Sequence, residues 1–355
     1  MANKVLVGVS GGVDSSVSAA ILKEKGYEVT GAFMKNWEDD DGTPYCSVKE
    51  DFLDAARVCD KLDIELIQLN FSKEYKEKVF EYFLASLKEG KTPNPDIFCN
   101  KFIKFEAFYD YAMTNNFDNI ATGHYCQLEQ KNDEYLLKKS QDQSKDQTYF
   151  LNDIEKEVLK KCIFPIGNIE KSEVRKIAKD KKLVTFDKKD STGICFIGER
   201  PFPDFLSNYL PQKKGDIFDE NSNLIGKHNG VHFYTLGQRQ GLGIGGVKGS
   251  SEQPWYVAAK DNLNNSLTVV QDNNHPLLFN SELEVKKINW LVSKLPNLNN
   301  LNCKIRYRQK DQLCSLEETS NGWIVFFEEP QRAITPGQSI VFYDGNICLG
   351  GGEID

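Results

Sequence analysis

Two cysteines lie among residues that favour reactive sulfur, and Cys99 is the first of them. It ends a run, TPNPDIFC, in which two prolines restrict the backbone before a helical pattern begins. We expect Cys99 at about the N-cap of that helix with Lys101 and Lys104 beside it, where the helix dipole and both cations lower the pKa of a thiol. Asp96 is close enough in sequence to move a proton at the reacting centre. The alternative interpretation is an inert, half-buried thiol.

The second candidate is Cys195, in the run DSTGICFIG that starts at Asp190. Small and polar residues before Cys195 predict a mobile loop. Two loop cysteines in one domain suggest sulfur chemistry in which one thiol carries a persulfide and the other resolves it. The nine cysteines are an odd number without CxxC pairs, so we expect reduced thiols and neither a disulfide framework nor a zinc site. The other seven are interpreted as packing or bystander thiols.

A glycine-rich turn supplies an anion site. The apolar run Val5–Val9 predicts a buried parallel strand, and Ser10-Gly11-Gly12-Val13-Asp14-Ser15 follows it. A helix that opens at Ser15 or Ser16 would offer its free amides to phosphate, and Gly26 would end it. The turn lacks the lysine of the GxxxxGK[ST] pattern, which argues against a standard γ-phosphate enzyme. A βα turn that binds nothing is the alternative.

Alternating strand and helix patterns up to about residue 200 predict a doubly wound parallel sheet whose strand ends converge on one nucleotide. Beyond that point, short apolar runs such as Val231–Leu236 and Cys303–Arg308 are separated by turn residues and predict small β-barrels. The fold class is therefore α/β followed by β-rich domains. We expect a catalytic domain over 1–204, a β-rich domain over 205–276 and a β-barrel over 277–355.

Bulk composition describes a globular chain of 355 residues with a net charge of −8, which by itself disfavours nucleic acid. No apolar run approaches the roughly 20 residues of a membrane helix and no signal peptide is evident, so we expect a cytoplasmic protein. Two clusters differ from the acidic whole: 171–189 is rich in lysine, and four cations alternate from Lys304 to Lys310. The alternation predicts one basic strand face that meets phosphates, with a solvated face as the alternative.

The motif SGGxDS resembles the PP-loop of ATP pyrophosphatases, and the chain as a whole resembles the bacterial tRNA-specific 2-thiouridylases. The resemblance runs nearly from end to end. Its motifs are SGGVDSS from 10, FMKNW from 33, NPDIFCNKFIKF from 94, ATGHY from 121, KDQTYFL from 145, DSTGICFIGER from 190, YTLGQRQGLGIGG from 234 and TPGQSIVFYDG near the end.

The resemblance implies an enzyme that replaces the C2 oxygen of the wobble uridine in tRNAs for Lys, Glu and Gln with sulfur. ATP with Mg²⁺ would adenylate that oxygen, with Asp14 as a candidate metal ligand and no permanent metal. Cys195 would present a persulfide, Cys99 would attack its sulfur to leave a disulfide, and Asp96 would act as acid or base. Attack by released hydrosulfide stays open. The implied partners are tRNA and a sulfur donor, either a cysteine desulfurase or a relay protein, and the chain would act as a monomer.

Site residues follow from the same resemblance. The main chain near Met34 would read the adenine edge, and the target base would leave the anticodon stack to be reached. Two other functions remain: an amine-attaching PP-loop enzyme, and a non-catalytic RNA-binding protein gated by ATP. The implied ATP contacts are Gly8, Val9, Ser10, Gly11, Gly12, Val13, Asp14, Ser15, Met34 and Gly123; the base contacts are Asn94, Pro95 and Asp96; the tRNA contacts are His124, Lys145, Asp146, Gln147, Tyr307, Arg308 and Gln338.

Overall fold

A computed structural model describes residues 3–38, 48–190, 201–244 and 253–355. The strands are β1 (Lys4–Gly8), β2 (Glu28–Lys35), β3 (Glu65–Asn70), β4 (Asn119–Ala121), β5 (Cys126–Lys131), β6 (Glu134–Lys139), β7 (Cys162–Ile163), β8 (Gly215–Phe218), β9 (Leu224–His228), β10 (Trp255–Asp261), β11 (Ser266–Gln271), β12 (Phe279–Val285), β13 (Asn289–Trp290), β14 (Leu301–Lys304), β15 (Gln312–Thr319), β16 (Gly322–Arg332), β17 (Ser339–Asp344) and β18 (Ile347–Glu353). The α-helices are α1 (Val13–Glu24), α2 (Val48–Leu62), α3 (Ser72–Tyr75), α4 (Glu81–Lys88), α5 (Pro95–Phe98), α6 (Phe108–Thr114), α7 (Lys171–Asp180) and α8 (Phe202–Leu206).

The N-terminal sheet is parallel and has the order β3-β2-β1-β4-β7. Its central strand β1 is apolar because helices cover both faces, and Val5, Leu6 and Val7 are fully buried. The strand order reverses between β1 and β4, and open α/β sheets bind ligands at such a point. This confirms the predicted doubly wound sheet and directs attention to the carboxyl ends of β1, β2 and β4.

Two helical segments of this domain contain wider π turns. Lys76–Phe80 joins α3 to α4, and Cys99–Ala107 joins α5 to α6. Such turns are rare and are found often at functional sites. The second one starts at the predicted nucleophile. No helix in the described ranges is long and apolar enough to cross a membrane.

The middle sheet has the order β10-β11-β8-β9 and contains one parallel pairing, between β11 and β8. The prediction of a strand over Val231–Leu236 is wrong, since Val231–Phe233 forms a 3-10 turn. Gly230 precedes that turn with a φ of +137°, a backbone conformation that a side chain would oppose. The β-branched residue Val231 favoured the prediction of a strand, whereas Gly230 allows the backbone to turn there.

The C-terminal sheet follows the order β12-β16-β15-β14-β17-β18-β6-β5. A bridge between Val285, at the end of edge strand β12, and Ile354, directly after β18, closes the strands from β12 to β18 into a barrel. The hairpin β5–β6 comes from the first 204 residues, yet Lys138 on β6 pairs with Ile347 on β18. Part of the N-terminal region therefore extends the C-terminal sheet, and the two regions are tied together by main-chain pairing.

The predicted basic strand over Lys304–Lys310 is wrong. Strand β14 ends at Lys304, and 305–309 form a turn in which the Gln309 amide nitrogen donates to the Arg306 carbonyl. Lys304 is buried, and its ammonium lies 3.7 Å from the Asp311 carboxylate. The four cations therefore do not share one strand face, and only part of the cluster can meet a ligand.

Candidate active site

The phosphate loop starts a helix whose first amides are open. Gly12 is the N-cap residue of α1, and no side chain caps this end. The helix therefore begins at Val13, earlier than predicted, and Ser15 lies in its first turn. The Ser15 hydroxyl lies 3.1 Å from the Ser10 amide, which donates to it, and 3.2 Å from the Gly12 carbonyl, to which it donates. The loop is shaped by these bonds while the helix amides stay available to an anion.

Three glycines permit close approach around this loop. Gly11 has a φ of +75°, and a Cβ there would overlap the main chain of Asp51. A Cβ on Gly123 would lie 2.8 Å from the Ser15 nitrogen, and one on Gly8 would lie 3.0 Å from the Met34 Cε. The ends of β1, β2 and β4 thus converge here, as the sequence predicts, because the glycines let neighbouring protein segments pack closely.

A charge network lies beside the loop and centres on Lys171, a residue that sequence reasoning left within a basic run. The Lys171 ammonium is 2.8 Å from both carboxylate oxygens of Asp14 and 2.7 Å from Asp190. Lys145 and Arg175 also bind Asp190, at 2.8 and 3.0 Å. Burial raises the pKa of Asp190, but hydrogen bonds from Lys145 and Lys171 outweigh this and lower the pKa to about 2.

Asp14 does not fit the role of a magnesium ligand in this arrangement. Both of its oxygens accept from Lys171, and Oδ1 also accepts from the Tyr125 hydroxyl at 2.8 Å. Within the described residues no group of three or more His, Cys, Asp or Glu side chains could hold a metal ion. Mg²⁺ at Asp14 therefore stays a prediction that this arrangement of side chains does not support.

The predicted base-binding loop starts a helix that is closed by its own side chain. Asn94 is the N-cap residue, and its Oδ1 accepts from the Asp96 amide at 3.2 Å. Pro95 is buried at the first helical position. The placement of Cys99 at the N-cap is wrong, because Cys99 lies a full turn further along and is 3 % exposed. Asn94 had the better capping chemistry, and the helix starts there.

The Asp96 side chain reaches solvent although protein surrounds it. Desolvation by that surrounding protein raises the pKa of Asp96, and the positive charge of Lys104 opposes the shift. No hydrogen bond to the Asp96 carboxylate is present among the described residues. An accessible carboxylate with a raised pKa in a concave site has the properties of a proton-transfer group.

Lys104 connects this loop to the phosphate loop. Its ammonium lies 3.4 Å from Nε2 of His124, whose Nδ1 lies 2.8 Å from the Thr122 hydroxyl. Desolvation and the charge of Lys104 lower the pKa of His124 well below its usual value, so the ring is neutral. Lys104 then donates to Nε2, and Nδ1–H donates to Thr122. Gly123, between these residues, packs on Ser15, so the two loops are adjacent.

Cys195 lies outside the described residues, and its prediction as the persulfide carrier stays untested. Asp190 is the last described residue before it. Three cations hold Asp190 beside Asp14, so the chain enters the undescribed segment at the phosphate loop.

The predicted tRNA contacts near residue 146 are engaged within the protein. Lys145 binds Asp190, and the buried Asp146 accepts from the Thr148 hydroxyl at 2.8 Å. Burial raises the pKa of Asp146. The Gln147 side-chain oxygen accepts from the Tyr125 amide at 2.9 Å. Their assignment to tRNA, like that of the buried His124, stays a prediction.

The contacts predicted on the C-terminal barrel lie near the predicted base-binding segment. The Tyr307 ring packs on Phe150 with centroids 4.4 Å apart, and the Phe150 carbonyl accepts from the Asn100 side chain at 3.0 Å. The Gln338 amide donates to the Thr92 carbonyl at 2.6 Å. Arg308 is exposed on the same turn as Tyr307. The barrel therefore touches the loop before Asn94 directly and reaches the helix after Cys99 through Phe150.

Three family models match consecutive parts of the chain. They are the tRNA methyl transferase HUP domain over residues 3–199, the tRNA methyl transferase PRC-barrel domain over 203–271, and the aminomethyltransferase beta-barrel domain over 280–354. A solved structure titled NMN synthetase from Francisella tularensis covers 58 % of this chain and 73 % of its own at 18 % identity, with a TM-score of 0.34, which is too low to carry an argument.

Curated relatives match over almost the whole length. The chain is 56 % identical over 356 residues to the tRNA-specific 2-thiouridylase MnmA of Francisella philomiragia, covering 99 % of both chains. It is 57 % identical over 355 residues to the protein of the same name from Francisella tularensis subsp. tularensis, again covering 99 % of each. Identity of this extent over a full length shows common descent and a common fold. The chain belongs to the tRNA-specific 2-thiouridylase family.

Proposed function

We propose that this protein is an ATP-dependent tRNA sulfurtransferase that exchanges the C2 oxygen of the wobble uridine for sulfur. The observation that carries the proposal is the junction of an open anion site, at Gly12 and α1, with a segment that exposes Asp96 and carries the buried Cys99 one turn later. Relatives at 56–57 % identity bear the corresponding name. The tRNAs for Lys, Glu and Gln are the proposed substrates, and the cytoplasm is the proposed compartment.

Activation of the uridine is the first half of the reaction. The C2 carbon is urea-like, and its oxygen leaves poorly. ATP, the second substrate, transfers AMP to that oxygen and releases pyrophosphate, which turns the oxygen into a good leaving group. The amides at the start of α1 and the Ser10–Ser15 turn are suited to hold the phosphates. Mg²⁺ is proposed to arrive with ATP.

Lys171 is proposed to respond to the phosphates. It shares its charge between Asp14 and Asp190 in the unliganded protein. An incoming polyphosphate adds negative charge to a site that already contains two carboxylates, so the three cations on Asp190 become its counter-charges. The glycine at position 123 supports ATP binding because a side chain there would press on the Ser15 amide.

Asp96 is proposed to accept the N3 proton of the uridine base. Attack by the C2 oxygen is easier when the N3 proton is removed, and a carboxylate with a raised pKa can accept it. The positive charge of Lys104 opposes the rise in the pKa of Asp96 and so favours the ionised form that accepts the proton. Asn94 and Pro95 fix the backbone that carries Asp96, so the flipped base meets a rigid edge.

Sulfur transfer is the second half. The terminal sulfur of a persulfide on Cys195 is proposed to attack C2 and expel AMP together with the original oxygen. The Cys99 thiolate then attacks the sulfur of Cys195, which breaks the S–S bond and leaves a Cys99–Cys195 disulfide. An external thiol must reduce this disulfide before the next turnover. Free hydrosulfide as the attacking species is the variant of this step.

The direct test supplies the protein with ATP, Mg²⁺, a small-molecule persulfide source and unmodified tRNA. We expect the mass of one anticodon nucleoside to increase by one oxygen-to-sulfur exchange, with one AMP and one pyrophosphate formed per sulfur. An unchanged nucleoside with a persulfide source and a reductant present would contradict the proposal. AMP formation coupled to an added amine would instead identify the amine-attaching alternative, and the absence of AMP would identify an ATP-gated binding protein.

A further inference from the structure

Three arginines line two neighbouring cavities that share Arg306. One cavity, of about 490 Å³, lies within the C-terminal barrel and is lined by Arg306, Arg308 and Arg332. The other, of about 420 Å³, lies where the barrel meets residues 235–238 of the middle domain and Thr92, two residues before Asn94. Neither cavity is used by the mechanism proposed above. The smaller cavity lies beside the segment proposed to bind the base.

These arginines are unusual because no carboxylate neutralises them. Within the described ranges, none of Arg306, Arg308 and Arg332 forms an ion pair with an acidic side chain. Glu329 lines the larger cavity without pairing to any of them. The nearby Asp311 is taken by Lys139, at 2.6 Å. Arg306 and Arg308 are exposed and Arg332 is half-buried, so this unpaired positive charge at the cavity is open to an anion from outside the protein.

Arg306 and Arg332 line the same cavity. Desolvation by the surrounding protein and the positive charge of Arg332 both lower the pKa of Arg306. Arg306 donates to the Ala333 carbonyl at 2.9 Å, and Arg332 donates through Nε to the Asn273 carbonyl at 3.0 Å. Among the described residues, the buried Nη2 of Arg332 has no hydrogen-bond partner. Two guanidinium groups that line one cavity and are held by main-chain carbonyls can bind an anion together.

The position of Arg332 is enforced by its neighbours. Its guanidinium lies 5.0 Å above the Tyr256 ring, a cation–π contact that helps to hold the side chain. A Cβ on Gly237 would lie 2.9 Å from the Arg332 Nη1, so the glycine makes room for the side chain. The middle domain thus supports an arginine that belongs to the barrel.

We propose that Arg306 and Arg332 clamp one backbone phosphate of the substrate RNA next to the nucleotide that enters the Asn94–Asp96 loop. The Gln338 side chain bonds to the Thr92 carbonyl and fixes the distance between this clamp and the loop. Phosphate contacts of this kind set position and register, whereas the loop reads the base. The inference rests on the proposed function, because it takes the partner to be RNA.

RNA is favoured over an acidic protein by the shape and location of the cavities. A phosphodiester is small enough to enter a space between two guanidinium groups, and a chain of them can continue from the cavity to the base-binding loop. Arg308, which is exposed on the turn beside Arg306, can meet the next phosphate. An acidic sulfur-donor protein is the competing occupant, and the test below separates the two.

The test measures the affinity of unmodified tRNA for the full chain at several salt concentrations. In Arg306→Gln and Arg332→Gln we expect affinity to fall about tenfold or more, and the slope of log K against log[salt] to become shallower by about 0.7–1 per variant. Arg57→Gln is the matched control, because Arg57 is exposed and already pairs with Asp54. It should leave affinity and slope unchanged.

Lysine variants test whether a loss of affinity comes from the lost charge or from misfolding. Arg306→Lys and Arg332→Lys keep the charge, so we expect the wild-type salt slope with weaker binding, since the planar fork is lost. Unchanged affinity and slope in both glutamine variants, while the wild type still thiolates tRNA, would overturn the clamp alone. A second result would also overturn the clamp, in favour of a protein partner. In that case the glutamine variants bind tRNA as tightly as the wild type, and their thiolation is impaired only when a protein supplies the sulfur. A wild type that fails to thiolate would instead count against the proposed function.

Discussion

Two helices of the catalytic domain begin directly after a loop and place an aspartate in their first turn, yet their ends differ. At α1 no side chain caps the helix, and Asp14 is bound by Lys171 and Tyr125. At α5 Asn94 caps the helix, and Asp96 reaches solvent without a hydrogen bond among the described residues. At α1 the helix amides are therefore available to a ligand, while the Asp14 carboxylate is held by other side chains. At α5 the Asp96 amide is hydrogen-bonded to the cap, while the Asp96 carboxylate is available.

The same local pattern, a loop followed by a helix with an aspartate in its first turn, therefore suits both halves of the proposed reaction, activation by ATP and proton transfer at the base. An uncapped helix end attracts phosphate, which suits activation by ATP. A capped end removes that attraction and leaves the carboxylate to accept a proton, which suits the base-binding loop. The predictions below separate the halves by changing one end at a time.

The largest effect is expected for Cys99→Ser. We expect tRNA thiolation to fall by about 10⁴-fold, because removal of a nucleophile from a catalytic set has effects of this order. Pyrophosphate release in a single turnover should persist, since activation does not need the thiol. Nucleoside mass analysis and pyrophosphate quantification measure the two halves.

The matched control for that variant is Cys162→Ser. Cys162 is buried in the same domain, and its sulfur lies 3.3 Å from the Val158 carbonyl, a bond that a serine hydroxyl can keep. Thiolation within a few-fold of the wild type is expected. Equal losses in both variants would mean that Cys99 acts through packing alone.

The two aspartates should respond in opposite ways. Asp96→Asn removes a proton-transfer group, so the thiolation rate should fall by about 10²–10³-fold with an unchanged melting temperature. Asp14→Asn leaves Lys171 with one carboxylate fewer and should cost about 1–2 kcal/mol of unfolding free energy. Denaturant unfolding and initial rates measure both. A destabilised Asp96→Asn with full activity would reverse the comparison.

The open end of α1 can be blocked at Gly11. A Cβ there would overlap the Asp51 main chain at a φ of +75°, so Gly11→Ala should distort the loop and raise the KM for ATP by about tenfold or more. Gly26→Ala is the control. It has a φ of +82° with open space around it, so only backbone strain of about 1 kcal/mol is expected, with ATP kinetics unchanged.

The smallest effect concerns pH. The pKa of Asp190 falls from 3.8 to about 2 on folding, so its contribution to stability is present above pH about 4 and is lost as the pH falls towards 2. The wild type should melt at a higher temperature than Lys171→Met, and this difference in melting temperature should shrink as the pH falls from about 4 towards 2. Lys176→Met, which removes an exposed lysine of the same helix, should show no such pH dependence. An advantage that stays constant down to pH about 2 would contradict the assigned network.

Sequence reasoning reached the parallel sheet and the phosphate loop because both depend on local signals. Val5–Val9 and the glycines after it fix strand, turn and helix within a few residues of each other. The role of Lys171 could not be found in this way, since its partners Asp14 and Asp190 lie far along the chain. The sequence of a lysine-rich run does not indicate which of its lysine side chains are exposed and which are buried.

Two errors show the same limit for the β-rich part. Alternating cations from Lys304 to Lys310 have the period of a strand, but β14 stops at Lys304 where the Arg306–Gln309 turn begins. The pairing of the β5–β6 hairpin with β18 joins residues more than two hundred positions apart, and no local pattern encodes it. Cys99 was misplaced by one turn because Asn94 was not recognised as the cap.

In the proposed reaction, ATP makes the C2 oxygen of uridine leave with AMP. This step can be tested with tRNA that carries heavy oxygen at C2 of the wobble uridine. After thiolation we expect one heavy oxygen in the phosphate of AMP, detected by mass spectrometry, and none in water. Heavy oxygen in the solvent with unlabelled AMP would contradict the proposed reaction.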